Sequence, residues 1–168
     1  MQLMKTNTMN DLNEKIIKWA DDKGILANGT PEAQLAKTFE EIIETAQAVA
    51  LYHHLPKPEY RSAIMEVKDG IGDVYITVCI YAKLSNLEFA CAYFGEETFT
   101  NKIIFEKIGE SVLRIAADWC AEHHCGECIY WLNKLAQNHG LTLRECVEHS
   151  YNVIAKRTGR IVDGVFIK

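Results

Sequence analysis

The chain of 168 residues is 48% hydrophobic and 24% charged, which is enough apolar material for one packed core and argues against disorder. Its 18 basic and 23 acidic residues leave a net charge of −5, the wrong sign for a nucleic-acid footprint. No apolar run approaches the ~18 residues of a membrane span, and the first fifteen residues lack the apolar core of a signal peptide, so no membrane association is expected. The six cysteines then read as thiols rather than a disulfide framework. The expected location is the cytoplasm, of the protein's own cell or of a host.

Residues 10–22 place Leu12, Ile16, Ile17 and Trp19–Ala20 at helical spacing. The segment "GILANGT", 24–30, reads as a loop. Thr30-Pro31 then supplies an N-cap and a first-turn proline. A helix is predicted over 31–53, where Leu35, Phe39, Ile42, Ala46 and Val49 recur at steps of three and four. "HHLPKPEY" ends it. Beyond Glu59 the chain has no proline, which leaves room for long helices. The segment 59–84 is ambiguous. "DVYITVCIY" has strand composition, and "KDGIGD" holds two glycines that each cost ~1 kcal/mol inside a helix. Helices are predicted over 99–124 and across "IYWLNKLAQN", the latter closed by Gly140. Thr142 and Glu145 form a capping box opening the segment 141–157. The tail "RIVDGVFIK" reads as a short hairpin around Asp163-Gly164.

The chemistry concentrates in carboxylates. On a helix, Glu40, Glu41 and Glu44 share one face, roughly opposite the Leu35–Phe39–Ile42 stripe. By itself that is a solvated face. Asp69 and Asp73 share a face too if 59–84 is helical. Two facing helices would then oppose acidic groups, which repel in a partly dry cleft unless cations neutralise them. An all-oxygen donor set suits Mg²⁺ or Mn²⁺.

The pattern "EEIIE", a later acidic residue and "GD" opening an apolar helix resembles the MazG-like all-α nucleoside triphosphate pyrophosphatases. The lead-in "WADDKGILANGTPEAQLAKTFEE" and the C-terminal "YNVIAKRTGRIVDGVFIK" are similar to the phage-type members in the same order. The resemblance covers roughly 10–83 and 141–168, with 84–140 less specific. It implies one domain over 1–168, an all-α bundle with a helix over 59–84, and a short extended tail or hairpin. It also implies a homodimer or homotetramer.

The activity implied is Mg²⁺-dependent hydrolysis of a (deoxy)nucleoside triphosphate to the monophosphate and pyrophosphate. Glu41, Glu44 and Asp73 fall on the family's metal-ligand positions. Glu40 is a further ligand or the base that orients the water. The glutamate of the second motif, E-x-x-D, is replaced here by Gly70, and Asp69 is the nearest substitute. Lys37, Lys156, Arg157 and Arg160 are the cations expected at the phosphates, although the last three also suit a helix C-terminus. Trp19 and Gln34 would contact the base, with a core tryptophan as the plainer alternative.

"CAEHHCGEC" stands apart. Cys120, His123, His124, Cys125 and Cys128 include one C-x₂-C pair, half of a zinc site. They read either as buried thiols and surface histidines or as a zinc-stabilised element. The second option belongs to a different class of protein, a non-catalytic helical interaction module.

Overall fold

The computed structural model describes residues 9–54, 60–88, 97–117, 120–162 and 165–167; the side chains of 60–61, 160–162 and 165–167 lie outside the description. The described residues form seven helices and two short strands, an all-α fold with a terminal ribbon. In order they are α1 (Met9–Asp22), α2 (Ile25–Asn28), α3 (Pro31–His54), α4 (Tyr60–Leu84), α5 (Asn101–Ala116), α6 (Ala121–Asn138) and α7 (Leu143–Ile154). Then come β1 (Arg160–Val162) and β2 (Val165–Ile167), paired antiparallel with Ile161 opposite Phe166.

Helix α4 is the axis of the molecule. It packs against α3, α7, α6, α1 and α2, and α5 pairs with α6. Val67, Ile71, Val74, Tyr75, Ile76, Val78, Cys79, Ile80 and Tyr81 are all buried. A helix buried on every side has no polar stripe, so the apolar run lost its helical period and took on strand composition.

Its two glycines are contact points rather than breaks. A Cβ on Gly70 would lie 2.6 Å from Thr45 Oγ1 and 3.1 Å from Thr45 Cα, so α3 crosses α4 there almost backbone to backbone. A Cβ on Gly72 would lie 2.4 Å from the Cys146 carbonyl and 2.2 Å from Ser150 Oγ, so α7 crosses one turn-face away. The helix penalty of ~1 kcal/mol per glycine is outweighed by the closeness of two helix crossings.

Local signals account for several ends. The Thr142–Glu145 capping box forms reciprocally at α7. Thr30 Oγ1 accepts from the Ala33 amide at 3.2 Å. Gly140 takes a positive φ of 68°, and the Leu141 amide folds back to the Ala136 carbonyl at 2.9 Å, closing α6. Two expectations need correction. The loop predicted at 24–30 holds the single turn α2. The helix predicted over 99–124 is two: α5 ends at Ala116, and α6 starts at Ala121 after Cys120, which takes a left-handed φ of 49°. "HCGEC" therefore lies within a helix. A cysteine in the left-handed region costs about 1–2 kcal/mol, and no sequence rule marks it. The α5–α6 pairing holds the chain in that turn.

Candidate active site

Of the acidic face of α3, only the Glu41 side turns inward. Its buried residues are Thr38, Glu41, Thr45, Ala48 and Val49, while Leu35, Phe39 and Ile42 are half-buried and Ile43 is 59% exposed. The expectation of an outward carboxylate face is overturned at Glu41, which is 7% exposed. Glu40 and Glu44 stay at the surface. The reason is the crossing at Gly70. The flat spot on α4 draws the Glu41–Thr45 side of α3 against it, and Thr45 Oγ1 donates to the Glu41 carbonyl at 2.6 Å.

An open cleft with about 510 Å³ of empty volume, part of it bulk solvent, lies between α1, α2, α3, α4 and the end of α7. Six of the side chains singled out in the sequence line it: Trp19, Gln34, Lys37, Glu41, Asp73 and Arg157. One wall is apolar and made by Ile25, Ile76, Ile80 and Ile154, with Thr77 beside them. These wall residues were missed from sequence because apolar residues in a core helix carry no functional signal. Only the helix packing turns them to the cleft.

The charges pair along α3 and between Arg157 and α4. Lys37 Nζ lies 2.9 Å from Glu40 Oε1 and 2.8 Å from Glu41 Oε1. Burial pulls the Lys37 ammonium down, but the hydrogen bonds and charges of Glu41 and Glu40 outweigh it and hold its pKa above the ordinary value. Arg157 lies 4.0 Å from Asp73 Oδ2. The Asp73 side chain is 14% exposed. Burial first, then the charges of Asp69 and Glu41, push its carboxyl from 3.8 to about 7 against the pull of Arg157. The Glu44 carboxyl is also shifted up, by burial and by Glu41.

Asp69 goes elsewhere. It sits at the seam of α4 and α7, where Ser150 Oγ donates to its carbonyl at 2.8 Å and His149 Nε2 lies 3.6 Å from Oδ1. It acts on Asp73 through its charge but does not line the cleft. His149 was not singled out in the sequence, and no spacing rule points to it. Gly70, the position of the missing motif glutamate, has no room for a side chain. Lys156 is exposed in the turn after α7. Arg160 opens β1, and its side chain lies outside the described residues.

The carboxylates of the cleft are of the donor type that a hard divalent cation takes. Glu41 and Asp73 are oxygen donors on adjacent helices, and both are largely dehydrated. Burial first, and behind it the charges of Asp69 and Glu41, hold Asp73 up at about 7, and a cation would relieve the part due to charge.

No family model matches the chain, and no solved structure matches it. A curated protein of Haemophilus phage HP1, named as an uncharacterized 18.2 kDa protein in the rep-hol intergenic region, is 30% identical over 80 residues. That match spans 48% of this chain and 43% of the phage protein.

Proposed function

We propose that the chain hydrolyses a (deoxy)nucleoside triphosphate to the monophosphate and pyrophosphate, with Mg²⁺ as cofactor and Mn²⁺ as a substitute. The observation behind this reading is that Glu41 and Asp73, dehydrated on facing helices, share one cleft with two cations and with Trp19 and Gln34. Glu41 and Asp73 would hold the metal, with Glu44 and Asp69 within the same electrostatic field. A bound Mg²⁺ neutralises phosphate charge and acidifies a water. Lys37 and Arg157 serve as the phosphate clamp, since charge-assisted contacts position a triphosphate. Glu40, solvent-facing and tied to Lys37, would be a further ligand or the base that orients the attacking water. Trp19 and the isoleucine wall offer an apolar slot for a base, with Gln34 at its edge. The same reading takes the protein as a cytoplasmic homodimer or homotetramer. Among the described residues, no helix is long and apolar enough to cross a membrane.

A panel of ribo- and deoxyribonucleoside triphosphates, assayed for pyrophosphate release with and without Mg²⁺, tests this. Release from at least one nucleotide, lost in EDTA, is expected. No release from any of them would leave a second reading, a non-catalytic helical module. That reading is favoured by Gly70 and by the turning of Asp69 toward α7.

A further inference from the structure

The segment 120–128 takes no part in the cleft, and α6 makes of it something other than a cysteine site. Cys125 and Cys128 are buried. Among the described residues, neither sulfur belongs to a converging group of donor atoms. Three other groups converge. A nitrogen of His123, a nitrogen of His124 and an oxygen of Glu127 all lie within 4.8 Å of one another.

We propose that His123, His124 and Glu127 form a binding site for a first-row transition metal of the zinc class. The donors sit three and four residues apart on one turn of an 18-residue helix, so the backbone holds them on one face. His124 Nδ1 lies 2.5 Å from Glu127 Oε2, and His123 Nε2 lies 3.5 Å from Oε1 of the same carboxylate. The two imidazoles cross edge to face at 5.1 Å. A buried histidine with a carboxylate partner needs only His124 and Glu127. The second imidazole, at the other carboxylate oxygen, makes the group a tripod.

Metal–ligand bonds of ~2.0–2.2 Å put two donors of one ion roughly 3–3.5 Å apart. The present separations bracket that value. His124 is fixed by burial, with 5% of its side chain exposed, whereas His123 and Glu127 are 68% and 39% exposed. Side-chain rotation of those two therefore closes the site onto His124 without moving the helix. Two imidazoles and one carboxylate are a borderline donor set that takes Zn²⁺, Co²⁺ or Ni²⁺ in preference to Mg²⁺. Because His123 faces solvent, the fourth position is open to water or to a group from another molecule. The site is independent of the cleft and of the activity proposed there.

The test is a Co²⁺ titration of the full chain in excess Mg²⁺, followed by visible absorption, with displacement by Zn²⁺. One Co²⁺ per chain is expected, with d–d bands and no thiolate-to-metal charge-transfer band. His123→Ala and Glu127→Gln, both at partly exposed positions, should each weaken Co²⁺ binding by about tenfold or more, with unchanged helix content and unchanged Mg²⁺-dependent behaviour. The proposal is overturned by wild-type protein that binds no Co²⁺, by a thiolate band, or by both variants binding as wild type does.

Discussion

Glu41 is the residue on which the functional reading turns. Its carboxylate is buried at a helix crossing and compensated by Lys37 at 2.8 Å. Glu41→Gln keeps the shape and removes the charge, so the fold should survive with far-UV circular dichroism unchanged. A metal's share of transition-state charge stabilisation is several kcal/mol, so pyrophosphate release should fall about a thousandfold. Full activity in this variant would end the metal-cleft reading.

Asp73 carries a second prediction, about pH. Its folded carboxyl titrates near 7 against 3.8 when unfolded. The folded protein therefore binds more protons between those values, and metal-free stability must fall as pH rises through that window. At 1.36 kcal/mol per unit, the burden above pH 7 is at most about 4 kcal/mol. Asp73→Asn should lift it. Urea unfolding in EDTA should show the variant more stable than wild type near pH 8, with the gain gone below pH 4. Added Mg²⁺ should stabilise wild type and not the variant. Asp69→Asn should be the milder change, because Asp69 reaches the cleft only through its charge. An Asp69→Asn variant as defective in Mg²⁺ dependence as Asp73→Asn would instead make Asp69 a ligand.

At the scale of elements, the glycines of the helices make opposite predictions. Gly109 in α5 has nothing within 4 Å of an added Cβ, so Gly109→Ala should stabilise by the helix-propensity gain of ~1 kcal/mol. Gly70→Ala presses on Thr45, partly on its backbone. Gly72→Ala presses on the Cys146 carbonyl, which cannot swing away. Overpacking of this kind costs typically 1–3 kcal/mol, so the order of melting temperatures should be Gly109→Ala, wild type, Gly70→Ala, Gly72→Ala. A Gly72→Ala protein as stable as wild type would mean that α4 and α7 pack less closely than described. The same contacts explain why composition misdirects at "KDGIGD". Propensity scores each glycine as a loss to its own helix, whereas the return is made on α3 and α7, far away in sequence.

Across the whole molecule, two features depend on segments distant in the chain. Arg157 reaches the cleft after α7, and its carbonyl is held by Lys23 Nζ from the far end of α1 at 2.9 Å. A charge-assisted phosphate contact is worth roughly 1.5–3 kcal/mol. Arg157→Ala should accordingly cost about ten- to a hundredfold in kcat/KM with helix content unchanged. Normal kinetics in that variant would move the clamp to Lys37 alone. His139 lies where the ends of α3 and α6 meet. Its Nδ1 donates to the Leu135 carbonyl, and the rings of Tyr52 and His53 lie against it. Burial, with the neighbouring His53, holds its pKa below 6.5 despite the Leu135 bond. The unfolded chain therefore takes up this proton first. The contribution is present above about pH 6.5 and is lost as pH falls through the lowered folded value, opposite in sign to that of Asp73. His139→Gln should flatten the loss of stability between about pH 7 and pH 5 relative to wild type, as read by urea midpoints.

The sequence by itself determined the local events: the Thr30 and Thr142 starts, the Gly140 stop, the apolar stripe of α1, and which acidic and basic residue types were on offer. Each rests on atoms within a few residues of one another, so spacing and side-chain chemistry suffice to read them. The all-α class came through for α4 only by resemblance, because its run 74–82 is buried on all sides and has no periodic face to read. Only the tertiary structure decided that Glu41 is buried while Glu40 and Glu44 are wet, that Asp69 turns to Ser150 and His149, and that an isoleucine wall faces the cations. Those outcomes are set by where helices cross. A crossing is fixed by the absence of two Cβ atoms at Gly70 and Gly72 and by the surfaces brought to them, which no single segment contains.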